Sequence, residues 1–506
     1  MLGTILWSLR QTLKLRAHRS QLPPGPTSTK TGLARPWVYF REVSARHGDV
    51  ALVPGLSSGG PTVVLGSARA AWDLLERRGA AYSSRPRFVV GGELLSGGLR
   101  GLMASYGPFW RRWRRTLHSG FMQRKSTSYR PIQRLESAVL ARDLLVDPHG
   151  FRAHLERYAA SVIVLVTYGR RVTDVASDEV VRCNIEAMER LTSVNIPGKY
   201  AAERYPVLKY VPAIFAPWKA EVLKQRQKDI RMYMGLLNDI KDKVARGVAT
   251  PCFTTHLLEE QEALGMTDLE LAYTAGSPFG AGIETTSGTL ASFFLACVEF
   301  GHNFIPRAQE ELDRVVGRDR LPTFEDMDDL KYIRAIASET LRWRPVAVLG
   351  GTPHASTADD VYNGMFIPKG STIIAPLWTS KSPPTSYYRL FKPERFLEER
   401  DFPGTLGHAA FGWGRRVCPG MHLATASVNL NIARILWAFN VTPAKDEKGQ
   451  NIEVDIFAFT DGFNSSPLPF PCSIKPRSAH HAEVVEREAR QALTELASYE
   501  GKEEKS

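Results

Sequence analysis

Phe411-Gly412-Trp413-Gly414-Arg415-Arg416-Val417-Cys418-Pro419-Gly420 places one cysteine at the end of a glycine-rich turn. Met421, Ala424, Val428, Ile432, Leu436 and Phe439 then recur at three- to four-residue spacing, which predicts a helix. Pro419 suits the first position of that helix, where its missing N–H costs nothing. The positive end of the helix dipole, with Arg415 and Arg416 nearby, would favour thiolate over thiol and so prepare Cys418 to bind a metal. A buried packing cysteine beside a turn is the ordinary reading of a single cysteine. Other parts of the chain must decide between that reading and a metal ligand.

Working outward, Glu339-Thr340-Leu341-Arg342 falls on a segment predicted to be helical from Thr323–Asp326 through Leu330, Ile333, Ile336 and Ala337 until Pro345 stops it. At i and i+3, Glu339 and Arg342 share a face and can pair, although most such pairs are solvated surface charges. Lys392-Pro393-Glu394-Arg395-Phe396 stands between this pair and the cysteine. Further upstream, Thr267-Asp268-Leu269-Glu270 reads as a capping box, and an apolar helix is predicted from there to about Phe300, ended by Gly301. Such a helix spans about 50 Å, enough to cross a whole domain. In its middle lies Ala281-Gly282-Ile283-Glu284-Thr285-Thr286, where Gly276, Gly280, Gly282 and Pro278 weaken the helix. A locally opened helix leaves carbonyls free to hold water, as a proton relay requires. The plainer reading is a buried helix whose Glu-Thr pair satisfies itself. In Trp110-Arg111-Arg112-Trp113-Arg114-Arg115 the spacing puts Trp110 and Arg114 on one helical face. Basic residues interleaved with tryptophan also suit a nucleic-acid stacking platform, but nothing else in the chain supports a nucleic-acid fold.

The run F-x-x-G-x-R-x-C-x-G resembles the haem-ligand loop of the cytochrome P-450 family in every specified position, and the other motifs resemble that family's in turn. The resemblance covers Leu22 to Pro476. It implies a mainly α (α+β) chain: a single large fold with a long central helix, haem between that helix and the Cys-loop helix, and small β-sheets. Cys418 is then the axial ligand of the haem iron, with Phe411 beside it in the loop. Glu339, Arg342 and Arg395 match the buried network that braces the haem side. Ala281 to Thr286 is similar to the family's oxygen-activation site, where Glu284 feeds protons from solvent and Thr285 orients a hydrogen bond. Trp110, Arg114, Arg416 and His354, the last in Gly351-Thr352-Pro353-His354, match the contacts to the haem propionates.

The implied activity is that of a haem b monooxygenase of the microsomal type, most similar to fungal enzymes of terpenoid, polyketide or alkaloid secondary metabolism. Its implied partners are NADPH–cytochrome P-450 reductase, which carries electrons from NADPH, cytochrome b5 as an additional donor, and an apolar small-molecule substrate. Two alternatives stay open. One is an oxygen-independent haem-thiolate isomerase or dehydratase, against which the presence of Glu284-Thr285 counts. The other is a non-enzymatic haem-binding protein.

With 506 residues, 43% hydrophobic content and no linker-like stretch, the chain reads as one large domain over residues 22–475. It follows a short basic segment, 1–21, and precedes a polar tail, 476–506, with a short helix predicted from Ala482 to Ala497. Five cysteines do not make a disulfide framework; Cys183, Cys252, Cys297 and Cys472 read as packing residues in a reducing compartment. The net charge of +12 suits an acidic protein partner or an anionic membrane surface. Met1 to Leu9 is too short to span a bilayer, but Leu2, Ile5, Leu6, Leu9 and Leu13 keep helical spacing around Trp7 and read as an interfacial anchor. Arg10, Lys14, Arg16 and Arg19 follow, then the hinge Leu22-Pro23-Pro24-Gly25-Pro26. This favours the cytosolic face of the endoplasmic reticulum. The absence of acidic residues before Glu42 also reads as a mitochondrial transit peptide, and a soluble protein is the third alternative.

Val50–Val53 and Thr62–Leu65 are predicted to form a hairpin around Gly59-Gly60-Pro61, and Ser67 to cap a helix that Gly79 closes after Arg78. Ser83-Ser84-Arg85-Pro86 opens a glycine-rich loop to Tyr106 that would roof the haem pocket. Ala347–Gly350, Phe463–Ser465, Val89, Leu94, Leu95, Phe279 and Ile283 are pocket candidates, each as readily explained by core packing. The chain departs from the family at Trp378–Tyr388, which lacks the usual histidine or arginine, aspartate and proline. A second proline-glycine run after Pro26 is missing, and Pro278 is unexpected inside the central helix.

Overall fold

Thr267 accepts a hydrogen bond from the Glu270 N–H, and the Glu270 carboxylate accepts one from the Thr267 N–H, so both halves of the capping box are formed. The helix they start, in a computed structural model that describes residues 13, 15–28, 35–57, 60–196, 198–377, 389–398, 409–462 and 464–499, runs from Asp268 to Val315. Its 48 residues span roughly 72 Å. Neither Gly301 nor Pro306 ends it, contrary to the stop expected at Gly301. Phe304, Ile305, Ala308 and Leu312 are buried on the continuing face. Burying one large apolar side chain stabilises by about 1.5–3 kcal/mol, while glycine and proline in a helix cost about 1 and 3 kcal/mol, so burial wins. The most apolar window of this helix is 78% buried inside the protein, which marks it as a core element.

The Phe151–Tyr168 and Met421–Ala438 helices pack along the central helix, with the Pro217–Ala245 and Lys331–Trp343 helices beside them. Close approach requires its glycines. A Cβ on Gly276 would stand 2.3 Å from the Tyr233 ring, one on Gly280 2.7 Å from the Met188 sulfur, and one on Gly282 2.7 Å from Ile163. Those glycines admit neighbours and do not loosen the helix. Across the same stretch Thr285, Ser287 and Thr289 donate their hydroxyls to the carbonyls of Ala281, Ile283 and Thr285. The expectation of a locally opened helix is therefore corrected.

A four-stranded sheet flanks this core. Val50–Ser57 pairs antiparallel with Gly60–Leu65 in the expected hairpin register; Thr372–Ile374 adds in parallel, and His354–Ala355 pairs antiparallel with it. Phe439–Pro443 and Cys472–Pro476 make a separate antiparallel pair. After them the Ala479–Leu496 helix buries Val484, Val485, Ala489, Ala492 and Leu496 against the Arg130–Val146 helix, so this polar stretch carries an apolar stripe into the main core. Two helix boundaries also differ from expectation. Thr323–Asp326 forms its own turn, with Asp326 accepting from the Thr323 N–H, and the helix bearing Glu339 begins at Lys331. Ser67 does cap, but after Ala71 the chain takes a π-helical turn, and Gly79 opens a further turn where closure was expected. Met1–Leu9, Phe463 and Trp378–Tyr388 lie outside the described residues.

Candidate active site around Cys418

The Cys418 N–H donates to the Phe411 carbonyl at 2.8 Å and closes the loop. Gly412 and Gly414 have φ of 80° and 56°, and a Cβ on Gly414 would stand 2.3 Å from the Leu75 carbonyl oxygen, so only glycine fits there. The helix starts at Met421 with Gly420 as its cap, two residues later than Pro419 had suggested. Loss of solvation pushes the Cys418 thiol up, while the Gly420 N–H and the charge of Arg114 pull it down. Arg415 is exposed and donates to the Tyr106 hydroxyl at 2.9 Å, and Arg416 turns away onto Trp110. The expected help from these two flanking arginines is thus replaced by Arg114, which reaches the loop from the Pro108–Phe121 helix and donates to the Val417 carbonyl.

Four basic groups converge beside this loop. Arg416 donates to the carbonyls of Ser83 (2.7 Å) and Ala104 (2.8 Å), and its guanidinium carbon lies 4.1 Å from the Trp110 ring centroid. Arg85 donates to the carbonyls of Leu102, Thr352 and Pro353. His354 donates Nδ1–H to the Tyr82 carbonyl at 2.8 Å. Among the described residues all these donors end on neutral acceptors. Burial and the neighbouring Arg114 push Arg416 down to about 9, and burial and Arg416 push Arg85 down. Arg416 Nη1 is buried without a hydrogen-bond partner. Such a concentration of buried positive charge calls for a dianion. The two propionates of a haem whose iron meets the Cys418 sulfur satisfy it, so the donor set fits that cofactor.

His354 stands beside Arg85 and Arg416, and through its bond to Tyr82 it braces the loop; burial, then Arg85, pushes its imidazole down to about 3. Arg85, which the sequence marked only as part of a loop opening, supplies the additional cation; an arginine inside Ser84-Arg85-Pro86 was the available signal.

Glu339 is fully buried. Its carboxylate accepts from Arg342 Nε (2.5 Å) and Nη2 (2.7 Å) and from the Lys392 N–H (2.7 Å), and Arg395 Nε stands 3.6 Å away. The Glu339, Arg342 and Arg395 triplet suggested by the motifs is therefore assembled. On the central helix, Thr285 donates to Ala281, and the Glu284 carboxylate accepts from Asn464 Nδ2 at 2.8 Å. The sequence offered Asn464 only within the pocket candidates Phe463–Ser465; its pairing with Glu284 was not legible because 180 residues separate the two. Several pocket candidates are core residues: Phe279 packs against Tyr168 at 5.8 Å, and Val89 and Leu95 pack with Val194, Ala202 and Val222.

A long central helix packed against the helix that follows a cysteine loop, with basic groups gathered beside that loop, defines the class of a haem-thiolate protein. The family model for cytochrome P450 matches residues 29–462, and the chain belongs to that family. It is 37% identical to a cytochrome P450 monooxygenase of Armillaria gallica, over 94% of this chain and 93% of that protein. It is also 37% identical to cytochrome P450 monooxygenase 58 of Postia placenta, over 94% of this chain and 92% of that one. Among solved structures, a zebra fish cytochrome P450 with abiraterone covers 88% of this chain with a TM-score of 0.68 at 24% identity, which supports the fold. The enzyme is accordingly a haem-dependent monooxygenase, and of the alternatives left open by the sequence this is the one that stands.

Proposed function

We propose that this monooxygenase takes electrons from NADPH through a flavoprotein reductase and hydroxylates an apolar small molecule of fungal secondary metabolism, of terpenoid, polyketide or alkaloid type. The observation that carries the reading is the Glu284 carboxylate, solvent-exposed next to Thr285 in the middle of the central helix, which packs against the helix that follows Cys418. Overall, RH + O2 + NADPH + H+ gives ROH + H2O + NADP+, so a route for protons to the buried site is required. Haem supplies the oxidising chemistry when bound. Cys418 would hold its iron, Arg114, Arg416 and Arg85 its propionates, and Trp110 the Arg416 guanidinium in place. Glu284 would pass protons inward, and the Thr285 hydroxyl, now on the Ala281 carbonyl, would turn to donate.

The ferrous carbon monoxide difference spectrum tests the ligand: a strongly red-shifted Soret band in the wild type and its loss in Cys418→Ser is the expected pair. A histidine-type band in the wild type would overturn the assignment. Incorporation of label from 18O2 into product, dependent on NADPH and reductase, tests the reaction; turnover without either would reinstate isomerase or dehydratase chemistry.

We further propose peripheral attachment to the cytosolic face of the endoplasmic reticulum, with cytochrome b5 as a second electron donor. Supporting the membrane part, Tyr210, Ile214 and Phe215 are 73%, 83% and 78% exposed in one segment, with Lys209 beside them. Co-flotation with anionic vesicles, reduced in an Ile214→Asp/Phe215→Asp variant, is the expected result; equal flotation of both proteins would count against this surface.

A further inference from the structure

The Glu284 carboxylate is held from outside its own helix, and the holder is itself fixed by three separate contacts. The turn at residues 460–466 is closed on itself: the Thr460 N–H donates to the Ser466 carbonyl (2.9 Å), the Ser466 N–H to Thr460 Oγ1 (3.0 Å), and Ser465 Oγ to the Thr460 carbonyl (2.7 Å). It is tied sideways where the Ser465 N–H donates to the Val346 carbonyl at 2.9 Å. It is seated on the central helix at Gly288, where a Cβ would stand 2.4 Å from Ser466 Oγ and 3.1 Å from Val346. Gly288 is one helical turn beyond Glu284 and shares its face. Glycine there lets the turn come down, which brings Asn464 level with Glu284.

On the far side, Arg152 of the Phe151–Tyr168 helix donates to the Pro467 carbonyl at 2.6 Å, and Glu156 follows it by one turn on the same face. Burial pushes Glu156 up, and the charge of Glu284 adds to the push. Among the described residues the Glu284 carboxylate thus has Asn464 as its side-chain hydrogen-bond donor and an acidic neighbour in Glu156, which Arg152 partly offsets. A lysine or arginine in place of that donor would pin the carboxylate as a permanent ion pair. An amide fixes its direction and leaves it free to gain and lose a proton.

We propose that Asn464 is a positioning residue for proton delivery: its side-chain amide holds the Glu284 carboxylate in the orientation from which protons pass toward Thr285, and so sets how electrons divide between useful oxidation and peroxide. The proposal rests on the reading of Glu284 given under Proposed function. Without a substrate, two electrons and two protons reduce O2 to H2O2, whereas four of each reduce it to two H2O; faltering proton delivery favours the first.

The test uses haem-loaded wild type, Asn464→Leu, Asn464→Asp and Glu284→Gln, with a purified NADPH-dependent reductase. Haem content and the carbon monoxide spectrum are the fold control. The first readout is H2O2 formed per NADPH consumed. The second, independent of turnover, is the Glu284 carboxylate stretch in the infrared, identified by its loss in Glu284→Gln. Asn464→Leu, which keeps the shape and removes the donor, is expected to shift that band and to raise the peroxide ratio at least twofold; Asn464→Asp should do the same. An unshifted band, or a shifted band with a wild-type peroxide ratio, overturns the role of Asn464. A wild-type ratio in Glu284→Gln instead overturns the parent reading of Glu284.

Discussion

The guanidinium carbon of Arg416 stands 4.1 Å from the ring centroid of Trp110, while two of its nitrogens are spent on the Ser83 and Ala104 carbonyls and the third, Nη1, remains buried and unpaired. A planar fork stacked on an indole has one orientation, so the spare N–H is aimed before any cofactor arrives. Arg416→Ala should speed haem transfer to an apo-acceptor protein by about 100-fold, equivalent to about 2.7 kcal/mol. Arg416→Lys should recover little of this, because an ammonium reproduces neither the stack nor the fork. Identical transfer rates for wild type and Arg416→Ala would remove Arg416 from the cofactor site.

Thr285→Ala should keep its haem spectrum and lose coupling. Among the described residues the hydroxyl bonds to the Ala281 carbonyl of its own helix, so its removal leaves the fold intact. The expected result is continued NADPH oxidation with more peroxide and less product; full coupling would refute the assigned role.

Glu339→Gln should prevent stable haem incorporation. Its carboxylate is fully buried among Arg342, Arg395 and the Lys392 N–H. Breaking a buried ion pair by removing one charge costs about 3–5 kcal/mol. Urea melts of the variant should show a loss of that order, and a difference below about 1 kcal/mol would mean that the network is ornamental.

A second buried network makes a similar prediction in a different place. Asp229 is 1% exposed, accepts from Arg190 at 2.8 Å and lies 3.7 Å from Arg100, which itself donates to the Tyr233 hydroxyl. It therefore ties the loop before Tyr106 to two helices. Asp229→Asn should destabilise the protein by roughly 3 kcal/mol, read as a lowered melting temperature.

His354 gives the pH dependence. Its folded value, about 3, lies below the ordinary 6.5, so between those limits the unfolded chain binds a proton that the folded chain refuses. The contribution is complete above pH 6.5 and is lost as pH falls, with a slope of up to about 1.4 kcal/mol per unit. His354→Gln, which retains a donor for the Tyr82 carbonyl, should show a shallower acid loss of stability in urea melts at pH 6.5, 5.5 and 4.5. Parallel slopes in the two proteins would show that this ring does not govern the acid limb.

What the sequence disclosed and what it hid divide along a physical line. Cys418, the Glu339–Arg342 pair and the Trp110–Arg114 pair sit within loop or helix periods of a few residues, so spacing puts each pair on one face and the family resemblance supplies the roles. Asn464, Ser83, Ala104 and Leu75 act on residues far away in sequence, the last three through a backbone oxygen that every residue type carries. No local pattern encodes such partners. The glycines of the central helix were legible as weak helix formers but misread as loosening it, because only the neighbours Tyr233, Met188 and Ile163 reveal that the missing Cβ atoms are space for packing. Gly301 was legible as a stop signal and lost to the burial of Phe304 and Leu312.

The continuation of that helix past Gly301 carries Glu311, whose carboxylate accepts the N–H groups of Tyr332 and Ile333 at 3.0–3.1 Å and so anchors the start of the helix that bears Glu339. Glu284 and Thr285 lie on the same unbroken element. The Glu284–Thr285 pair and the helix that bears Glu339 are thus attached to a single beam of 48 residues, and the spacing between them is set along one helix. Selection acting on this enzyme can reshape the surrounding loops freely, but any change of that spacing must pass through that beam and be felt at both places at once.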